Sequence, residues 1–142
     1  MLQFKRTHTG AQLPSRTHAD DAGLDLMVAA LVKQISKTVY LYDTGIAVQP
    51  PEGFYTEVIA RSSTSKLGIS LANGTGVIDS CYRGSIKLAI RFHEDHTLSP
   101  EQLVGSRVAQ LIVRKLHLPE IKEVTTLIDT VRGEGGFGST GT

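Results

Sequence analysis

Apolar and polar residues alternate in short runs along much of this chain. The clearest run covers residues 85–92, where Ile86, Leu88, Ile90 and Phe92 alternate with small or polar residues. A period of two places the apolar set on one face of a β-strand and the other set on the opposite face. Other segments rich in strand-favouring residues are 38–41, 45–48, 54–60, 107–116 and 121–125. The pattern therefore predicts a chain made mainly of short β-strands.

Turn-forming residues separate these predicted strands. They form the runs DTG at 43–45, PPEG at 50–53, NG at 73–74 and SP at 99–100. Short strands that alternate with turns at such spacing are typical of an all-β sandwich or barrel. No window of helical length shows a helical period, and we expect a single helical turn at residues 63–67.

Composition and charge narrow the class of protein. The 142 residues suit one domain, and Lys and Arg number 15 against 14 Asp and Glu. The net charge of +1 argues against a protein that binds mainly to the phosphate backbone of a nucleic acid. It is compatible with binding of a small anionic ligand. The single cysteine, Cys81, excludes an internal disulfide framework and a multi-cysteine zinc site.

Targeting and membrane signals are missing from the sequence. The N-terminus has no apolar stretch of the signal-peptide type, and no apolar run is long enough to span a bilayer. We therefore expect a soluble, cytoplasmic protein with no nucleic-acid partner and no membrane partner.

The Gly-rich end of the chain, residues 132–142, contains five glycines and one large apolar residue, Phe137. Composition alone is compatible with a frayed terminus. The alternative, which composition by itself favours less, is a phosphate-binding arm, in which backbone N–H groups, the Ser139 and Thr140 hydroxyls and the Arg132 guanidinium bind oxygens. In the second interpretation Phe137 stacks on a base. We divide the chain into a β domain at 1–131 and a flexible arm at 132–142.

Two further segments have both an ordinary and a functional interpretation. Asp79 lies at a turn between apolar strands, in the segment GVIDSCYRG at 76–84. It is either an ordinary turn former or a general base for a water nucleophile. The segment after one predicted strand reads RSSTSK, at 61–66. It is either a helix cap whose charges are solvated or a site that binds an anion.

Five segments in order resemble the motifs of the trimeric dUTPase family. They are AGLDL at 22–26, RSS at 61–63, GVIDSCYRG at 76–84, GSRVAQL at 105–111 and RGEGGFGSTG at 132–141. The resemblance implies a jelly-roll-like, all-β subunit of a homotrimer, whose active sites lie at subunit interfaces and are closed by an exchanged C-terminal arm. It also implies hydrolysis of dUTP to dUMP and pyrophosphate with Mg²⁺, which keeps uracil out of DNA and supplies dUMP for thymidylate synthesis.

The resemblance also implies roles at the reacting phosphates. Asp79 would orient and deprotonate the water that attacks the α-phosphorus in line. The triphosphate would chelate Mg²⁺, which Asp25 would reach through bound water, with no direct protein ligand. The residues expected to hold phosphate oxygens are Arg61, Ser62, Ser63 and Gln110.

Base recognition and closure follow from the same resemblance. Uracil would be read mainly by the hairpin backbone, at Asn73, Gly76, Val77 and Ile78. Tyr82 would pack against the deoxyribose and exclude a 2′-hydroxyl. The arm would close over the β- and γ-phosphates, with Phe137 on the uracil; its other contact residues would be Arg132, Gly138, Ser139 and Thr140.

Three positions depart from the common family pattern. Ser63 replaces a frequent Gly, Ser106 replaces a frequent Asp, and Cys81 stands where acidic or small residues are usual.

Two other functions are alternatives. dCTP deaminases resemble the same pattern, but the strand at 85–92 has no acidic residue to move protons in deamination. A nucleotide-controlled regulator is the other alternative: if the chain is phage-encoded, a regulatory protein partner could contact the polar loop at 93–100.

Overall fold

The structure is a computed structural model, and it describes residues 1–136 of the chain. Within those residues it contains ten β-strands and two short 3₁₀ helices. The strands are β1 (Gln3–Arg6), β2 (Leu24–Met27), β3 (Ala30–Gln34), β4 (Val39–Asp43), β5 (Ile46–Gln49), β6 (Phe54–Ala60), β7 (Ile69–Leu71), β8 (Gly76–Ile78), β9 (Lys87–Phe92) and β10 (Arg107–Lys115). The 3₁₀ helices are Ser62–Leu67 and Glu101–Leu103.

Two four-stranded antiparallel sheets share one core. Their strand orders are β2-β10-β6-β8 and β3-β4-β9-β7, and β1 pairs with β5 in a separate two-stranded ribbon. Buried side chains of both sheets, such as Leu26 and Leu111 from one and Leu88 and Ile90 from the other, form a single apolar cluster. This arrangement confirms the all-β fold expected from the pattern of short strands.

The clearest sequence patterns correspond to observed strands. In β9, Leu88, Ile90 and Phe92 are buried and Lys87 and Arg91 are exposed, as strict alternation requires. The predicted strand at 54–60 coincides with β6, and those at 38–41, 45–48 and 107–116 match β4, β5 and β10 within a few residues. The predicted helical turn at 63–67 is the 3₁₀ helix Ser62–Leu67.

One predicted strand is wrong, and five observed strands were not predicted. Residues 121–125 form no strand. Their side chains are exposed, and their backbone pairs with no strand among residues 1–136. The strands that the pattern did not reveal are short or largely polar on both faces, namely β1, β2, β3, β7 and β8. Pairing with a neighbouring strand stabilises such segments, and a single-sequence pattern does not contain that information.

The chain after β10 contains no strand up to residue 136. This segment carries exposed apolar side chains: Leu118 is 80%, Ile121 98% and Ile128 94% exposed. The division into a β domain at 1–131 and an arm at 132–142 stays a prediction. None of the helices in the described part of the chain is long and apolar enough to cross a membrane.

Candidate active site

Four of the residues expected to serve the phosphates line one pocket of about 400 Å³. They come from three different elements: Asp25 from β2, Gln110 from β10, and Arg61 and Ser62 from the junction of β6 with the 3₁₀ helix. We call this space the Asp25 pocket. Adjacent strands of one sheet bring together side chains that are more than 80 positions apart in sequence, since Asp25 lies directly opposite Gln110.

A β-bulge in β10 decides which of its side chains face this pocket. The register with β2 shifts between Arg107 and Ala109, so Val108 and Ala109 are both buried. Without a bulge, side chains three positions apart point to opposite faces. The extra residue places Arg107 and Gln110 on the same face as Asp25.

Asp25 and Arg61 form the central ion pair of the pocket. Arg61 Nε lies 2.9 Å from Asp25 Oδ1, and the two side chains are 32% and 11% exposed. Arg61 Nη1 also donates to the backbone carbonyl of Arg107 at 3.1 Å. A guanidinium has five N–H donors, so the remaining ones are available to phosphate oxygens.

The carboxamide of Gln110 fits only because residue 23 is glycine. A Cβ on Gly23 would lie 2.0 Å from Gln110 Oε1 and 2.9 Å from Cδ. Gln110 Nε2 donates to the carbonyl of Ala60 at 3.2 Å, which ties the side chain to the end of β6. Gly23 is therefore a site residue that sequence analysis missed, although it lies inside the AGLDL segment.

The short helix after β6 presents two serines to solvent. Arg61 precedes it in extended backbone, and Ser62 and Ser63 are exposed in its first turn. Gly68 ends the helix with φ of 64°, and a Cβ there would lie 2.7 Å from the backbone of His96. Only glycine combines this left-handed conformation with so close an approach, which fixes where the helix stops.

A second pocket, of about 210 Å³, lies beside the hairpin after β8. We call it the Asp79 pocket. Its lining includes the expected residues Val77, Ile78, Asp79 and Tyr82, together with Ile86 and Lys87. Lys87 was not predicted as a site residue, although the alternation at 85–92 places it on the polar face of the strand.

Backbone and aromatic contacts hold the Asp79 turn in place. Tyr82 N donates to the carbonyl of Asp79 at 3.0 Å, and Tyr82 Oη donates to the carbonyl of Ser85 at 3.1 Å. A Cβ on Gly84 would lie 2.3 Å from Tyr82 Oη, so the glycine makes room for the ring. Asp79 itself is exposed, and none of the ion pairs within residues 1–136 involves it.

The two pockets lie at opposite ends of β6. Ile78 pairs with Thr56, which places Asp79 beside Tyr55, and the two residues line a common surface. Arg61 is six positions after Tyr55. At about 3.3 Å per strand residue, Asp79 and Arg61 of one chain are roughly 20 Å apart along β6.

A charged network crosses the sheet near the Asp79 end. Tyr55 Oη donates to Glu57 Oε1 at 2.6 Å, and Arg114 Nε lies 2.9 Å from Glu57 Oε2. The hydrogen bond from Tyr55, followed by that from Arg114, lowers the pKa of Glu57. The same bond raises the pKa of Tyr55. The network fixes the side chain of Tyr55 without using Asp79.

The residues of the Asp25 pocket fit a magnesium ion that is held through water. Asp25 Oδ2 is buried and accepts no hydrogen bond within residues 1–136. No group of three His, Cys, Asp or Glu side chains in that part of the chain could hold a metal directly. A carboxylate oxygen that accepts no hydrogen bond in a polar pocket is a suitable acceptor for metal-bound water.

The remaining expected residues lie elsewhere. Asn73 and Gly76 belong to the turn before β8 and to its first residue, where Asn73 is exposed and Gly76 is partly buried. Arg132 lines neither pocket, and its side chain donates to the carbonyl of Gly135 at 2.9 Å. The roles expected for Phe137, Gly138, Ser139 and Thr140 concern residues outside the part of the chain that the structure describes.

Comparison with known proteins places the chain in a family. A family model described as dUTPase matches residues 9–141. The deoxyuridine 5'-triphosphate nucleotidohydrolase of Solanum lycopersicum is 41% identical over 141 residues, which cover 99% of this chain and 81% of that protein. Among solved structures, the dUTPase of Staphylococcus bacteriophage 80alpha with dUpNHpp has a TM-score of 0.83 and 30% identity, and covers 100% of this chain and 99% of its own.

A second phage protein shows the same fold. A mutant dUTPase from phage phi11 of S. aureus, in which a structural Mg(II) ion is coordinated, has a TM-score of 0.74 and 26% identity. The alignment covers 91% of this chain and 99% of that protein. With the family match across nearly the whole sequence, these similarities confirm the family and the jelly-roll-like fold. The chain belongs to the dUTPase family, the hydrolases that convert dUTP to dUMP and pyrophosphate.

Proposed function

We propose that this chain cleaves dUTP by in-line attack of water on the α-phosphorus, in sites that form between the chains of a homotrimer. The observation that supports a shared site is the separation of roughly 20 Å along β6 between Asp79 and Arg61 of one chain. A general base acts on a water within hydrogen-bond reach. Asp79 of one chain therefore serves phosphates held by the Asp25 pocket of another.

Asp79 is the proposed general base. It accepts a proton from the attacking water while the water oxygen bonds to the α-phosphorus and the bond to the pyrophosphate oxygen breaks. Its carboxylate is exposed and is not engaged in an ion pair among residues 1–136. The hydrogen bond from Tyr82 N fixes its backbone and leaves the carboxylate free to accept a proton.

The Asp25 pocket is the proposed phosphate site. Arg61 offers the guanidinium donors that Asp25 and Arg107 leave free, and Ser62 and Ser63 add hydroxyl and backbone donors. Gln110 adds a carboxamide from β10. Mg²⁺ bound to the triphosphate would neutralise phosphate charge, with Asp25 Oδ2 accepting from its water.

The hairpin is the proposed base and sugar site. Val77 is exposed and Ile78 partly buried beside Asp79, so the backbone of β8 is accessible along the pocket. Asn73 and Gly76 would complete the backbone surface that reads uracil. Tyr82, held by its hydrogen bond to Ser85, would pack against the deoxyribose and exclude a 2′-hydroxyl. Excluding an added group by a rigid wall discriminates better than apolar contact alone.

The segment after β10 supports assembly into a homotrimer. Exposed apolar residues recur along it, including Leu127 and Val131 besides those already described. Such a series is costly in water and is buried when the segment lies on another chain. We propose that it leads the arm at 132–142 to a neighbouring site, where Arg132, Ser139 and Thr140 bind phosphates and Phe137 covers the uracil.

The substrate is tested with purified protein, Mg²⁺ and dUTP, dCTP, dTTP or UTP, following pyrophosphate release and the nucleotide products. We expect dUMP and pyrophosphate from dUTP, with little product from the other three. Turnover of dCTP would instead indicate a deaminase. Binding of dUTP without cleavage would make the chain a nucleotide-dependent binding protein.

The shared site is tested by complementation. Asp79→Asn and Arg61→Gln each inactivate a different half of the site, so homotrimers of either variant should be inactive. Mixed trimers of the two variants contain some sites with both wild-type halves and should regain activity. As the control, a chain that carries both substitutions is mixed with either single variant. These mixtures should stay inactive at every ratio of the two chains. No recovery in the mixture would show that each site is built from one chain.

A regulatory role is a second candidate, favoured by the similarity to phage 80alpha dUTPase. That family of phage dUTPases is described as controlling transfer of virulence genes by a G protein-like mechanism. In this chain the polar loop at 93–100 is exposed at His93, Glu94, Asp95 and His96 and could face a protein partner. Pull-down of a candidate repressor with and without dUTP tests this role; binding that ignores dUTP would contradict a nucleotide-controlled switch.

A further inference from the structure

Two arginines share the carboxylate of Asp25. Arg61 Nε is 2.9 Å from Oδ1, within hydrogen-bond distance, and Arg107 Nη1 is 3.7 Å from Oδ2, which is too long for a hydrogen bond. Oδ2 is buried and accepts no hydrogen bond within residues 1–136. The positive charge of Arg107 is therefore the electrostatic partner of this oxygen in the described chain.

The position of Arg107 follows from the bulge in β10. Arg107 pairs with Met27, two residues after Asp25 on β2, and the register shifts immediately afterwards. Met27 and Asp25 lie on one face of β2, so the bulge lets Arg107 and Gln110 both contact that face. Bulges next to active sites commonly redirect a side chain in this way.

We propose that Arg107 is a positioning residue for triphosphate binding that acts through Asp25 and Arg61. This inference rests on the proposed function of the Asp25 pocket as the phosphate site. By attracting Oδ2, Arg107 prevents the carboxylate from turning both oxygens toward Arg61. Arg61 then keeps its Nη2 donors for phosphate.

The alternative geometry of the Asp25–Arg61 ion pair shows why the position of Asp25 Oδ2 affects phosphate binding. A carboxylate and a guanidinium prefer a bidentate pair, in which Nε and Nη2 bind the two oxygens in parallel. If Arg107 lost its charge, Asp25 would form that pair, and phosphate would have to compete with Asp25 for Arg61. The backbone carbonyl of Arg107, which accepts from Arg61 Nη1, stays in place when the side chain changes. Substitution therefore isolates the side chain's effect.

The test compares Arg107→Gln, Arg107→Lys and the matched control Arg91→Gln. Arg91 is also an exposed arginine, but it belongs to β9 of the other sheet. The dissociation constant of dUpNHpp with Mg²⁺ and the KM and kcat for dUTP are measured. Arg107→Gln should raise the dissociation constant and KM about tenfold, within the range of couplings between neighbouring groups, with kcat nearly unchanged. Arg107→Lys should restore most of the affinity, and Arg91→Gln should match the wild type.

A double-mutant cycle separates positioning from a general structural role. In an Asp25→Asn background the carboxylate no longer competes for Arg61, so adding Arg107→Gln should change the affinity little. Equal losses in both backgrounds would show that Arg107 does not act through Asp25, and the inference would be wrong. It would also be wrong if Arg107→Gln bound like the wild type, or if it failed to fold.

These outcomes are distinguishable from failure of the proposed function. If the wild-type chain neither binds dUpNHpp nor cleaves dUTP, the phosphate site itself is misassigned. If the wild type does both and Arg107→Gln is indistinguishable from it, only the role of Arg107 fails.

Discussion

The Asp25 pocket and the Asp79 pocket differ in how far a single chain completes them. In the first, Asp25, Arg61 and Gln110 come from different elements and are joined to the protein by an ion pair and hydrogen bonds. In the second, Asp79 is exposed and its backbone, rather than its carboxylate, is anchored. In the proposed shared site, the Asp25 pocket is thus a half that is preorganised within the chain, and the Asp79 pocket is an open half in which only the backbone is fixed.

The difference follows from the elements that carry the residues. Adjacent strands of one sheet hold side chains in register, so the Asp25 pocket has little freedom left to lose on binding. A turn holds backbone but leaves side chains free for a partner. In the proposed shared site, the preorganised half would suit the highly charged phosphates, and the open half would suit a reacting group that a neighbouring chain brings to them.

The strongest test of the open half is Asp79→Asn. Loss of the general base should lower kcat by about 10²–10⁴-fold. The melting temperature should change little, because Asp79 is exposed and belongs to no ion pair in the described chain. Pyrophosphate release and thermal unfolding measure the two effects. A large loss of stability with the loss of activity would mean that the carboxylate is structural.

Arg61→Ala tests the preorganised half and should affect both properties. We expect the dissociation constant of dUpNHpp to rise about 100-fold, since a phosphate-binding charge is lost. The free energy of unfolding should fall by about 1–2 kcal/mol because Asp25 loses its partner, although partial exposure of Arg61 moderates the cost. Titration calorimetry and denaturant unfolding measure these changes. Loss of affinity without any loss of stability would argue against preorganisation.

Gly23→Ala disturbs the same pocket without removing a charge. The new Cβ collides with Gln110, which must move and lose its hydrogen bond to Ala60. A displacement of this size should raise KM about tenfold. Gly10→Ala is the control, because a Cβ there meets only the exposed ring of His8 at 3.3 Å. Equal KM values for the two variants would show that Gln110 does not contact substrate.

Gly84→Ala is the corresponding change in the open half. The added Cβ displaces the Tyr82 ring, which the structure otherwise holds against Ser85. We expect the preference for dUTP over UTP to fall about tenfold, with a smaller effect on phosphate affinity. The ratio of kcat/KM for the two nucleotides measures it. An unchanged ratio would exclude Tyr82 as the wall against a 2′-hydroxyl.

Glu57→Gln should give the smallest effect, and one that depends on pH. Hydrogen bonds lower the pKa of Glu57 in the folded state, so its contribution to stability is present above its unfolded pKa and is lost as the pH falls through the folded value. The variant should melt slightly below the wild type at neutral pH, and the difference should shrink as the pH falls below the ordinary Glu pKa of about 4.3 and vanish below the lowered folded-state pKa. Glu52→Gln, on an exposed turn, is the control. A difference that persists at low pH would mean that Glu57 does not stabilise the protein through its charge.

The parts of the fold that sequence analysis predicted are those with strong local signals. Strict alternation identified β9, and runs of β-favouring residues identified β6 and β10. The strand predicted at 121–125 was wrong because apolar residues there have no partner among residues 1–136. Apolar content alone therefore does not distinguish a strand of these sheets from an exposed segment that pairs with no strand.

Order of motifs and local pattern were enough to determine the family and the all-β class. Both are encoded along the chain, since alternation and motif spacing depend on near neighbours. Tertiary structure alone decided that Gly23 makes room for Gln110, that a bulge turns Arg107 toward Asp25, and that Asp79 lies roughly 20 Å from Arg61 along β6. These facts depend on which strands pair and in which register, and pairing between distant segments is fixed by packing of the whole chain.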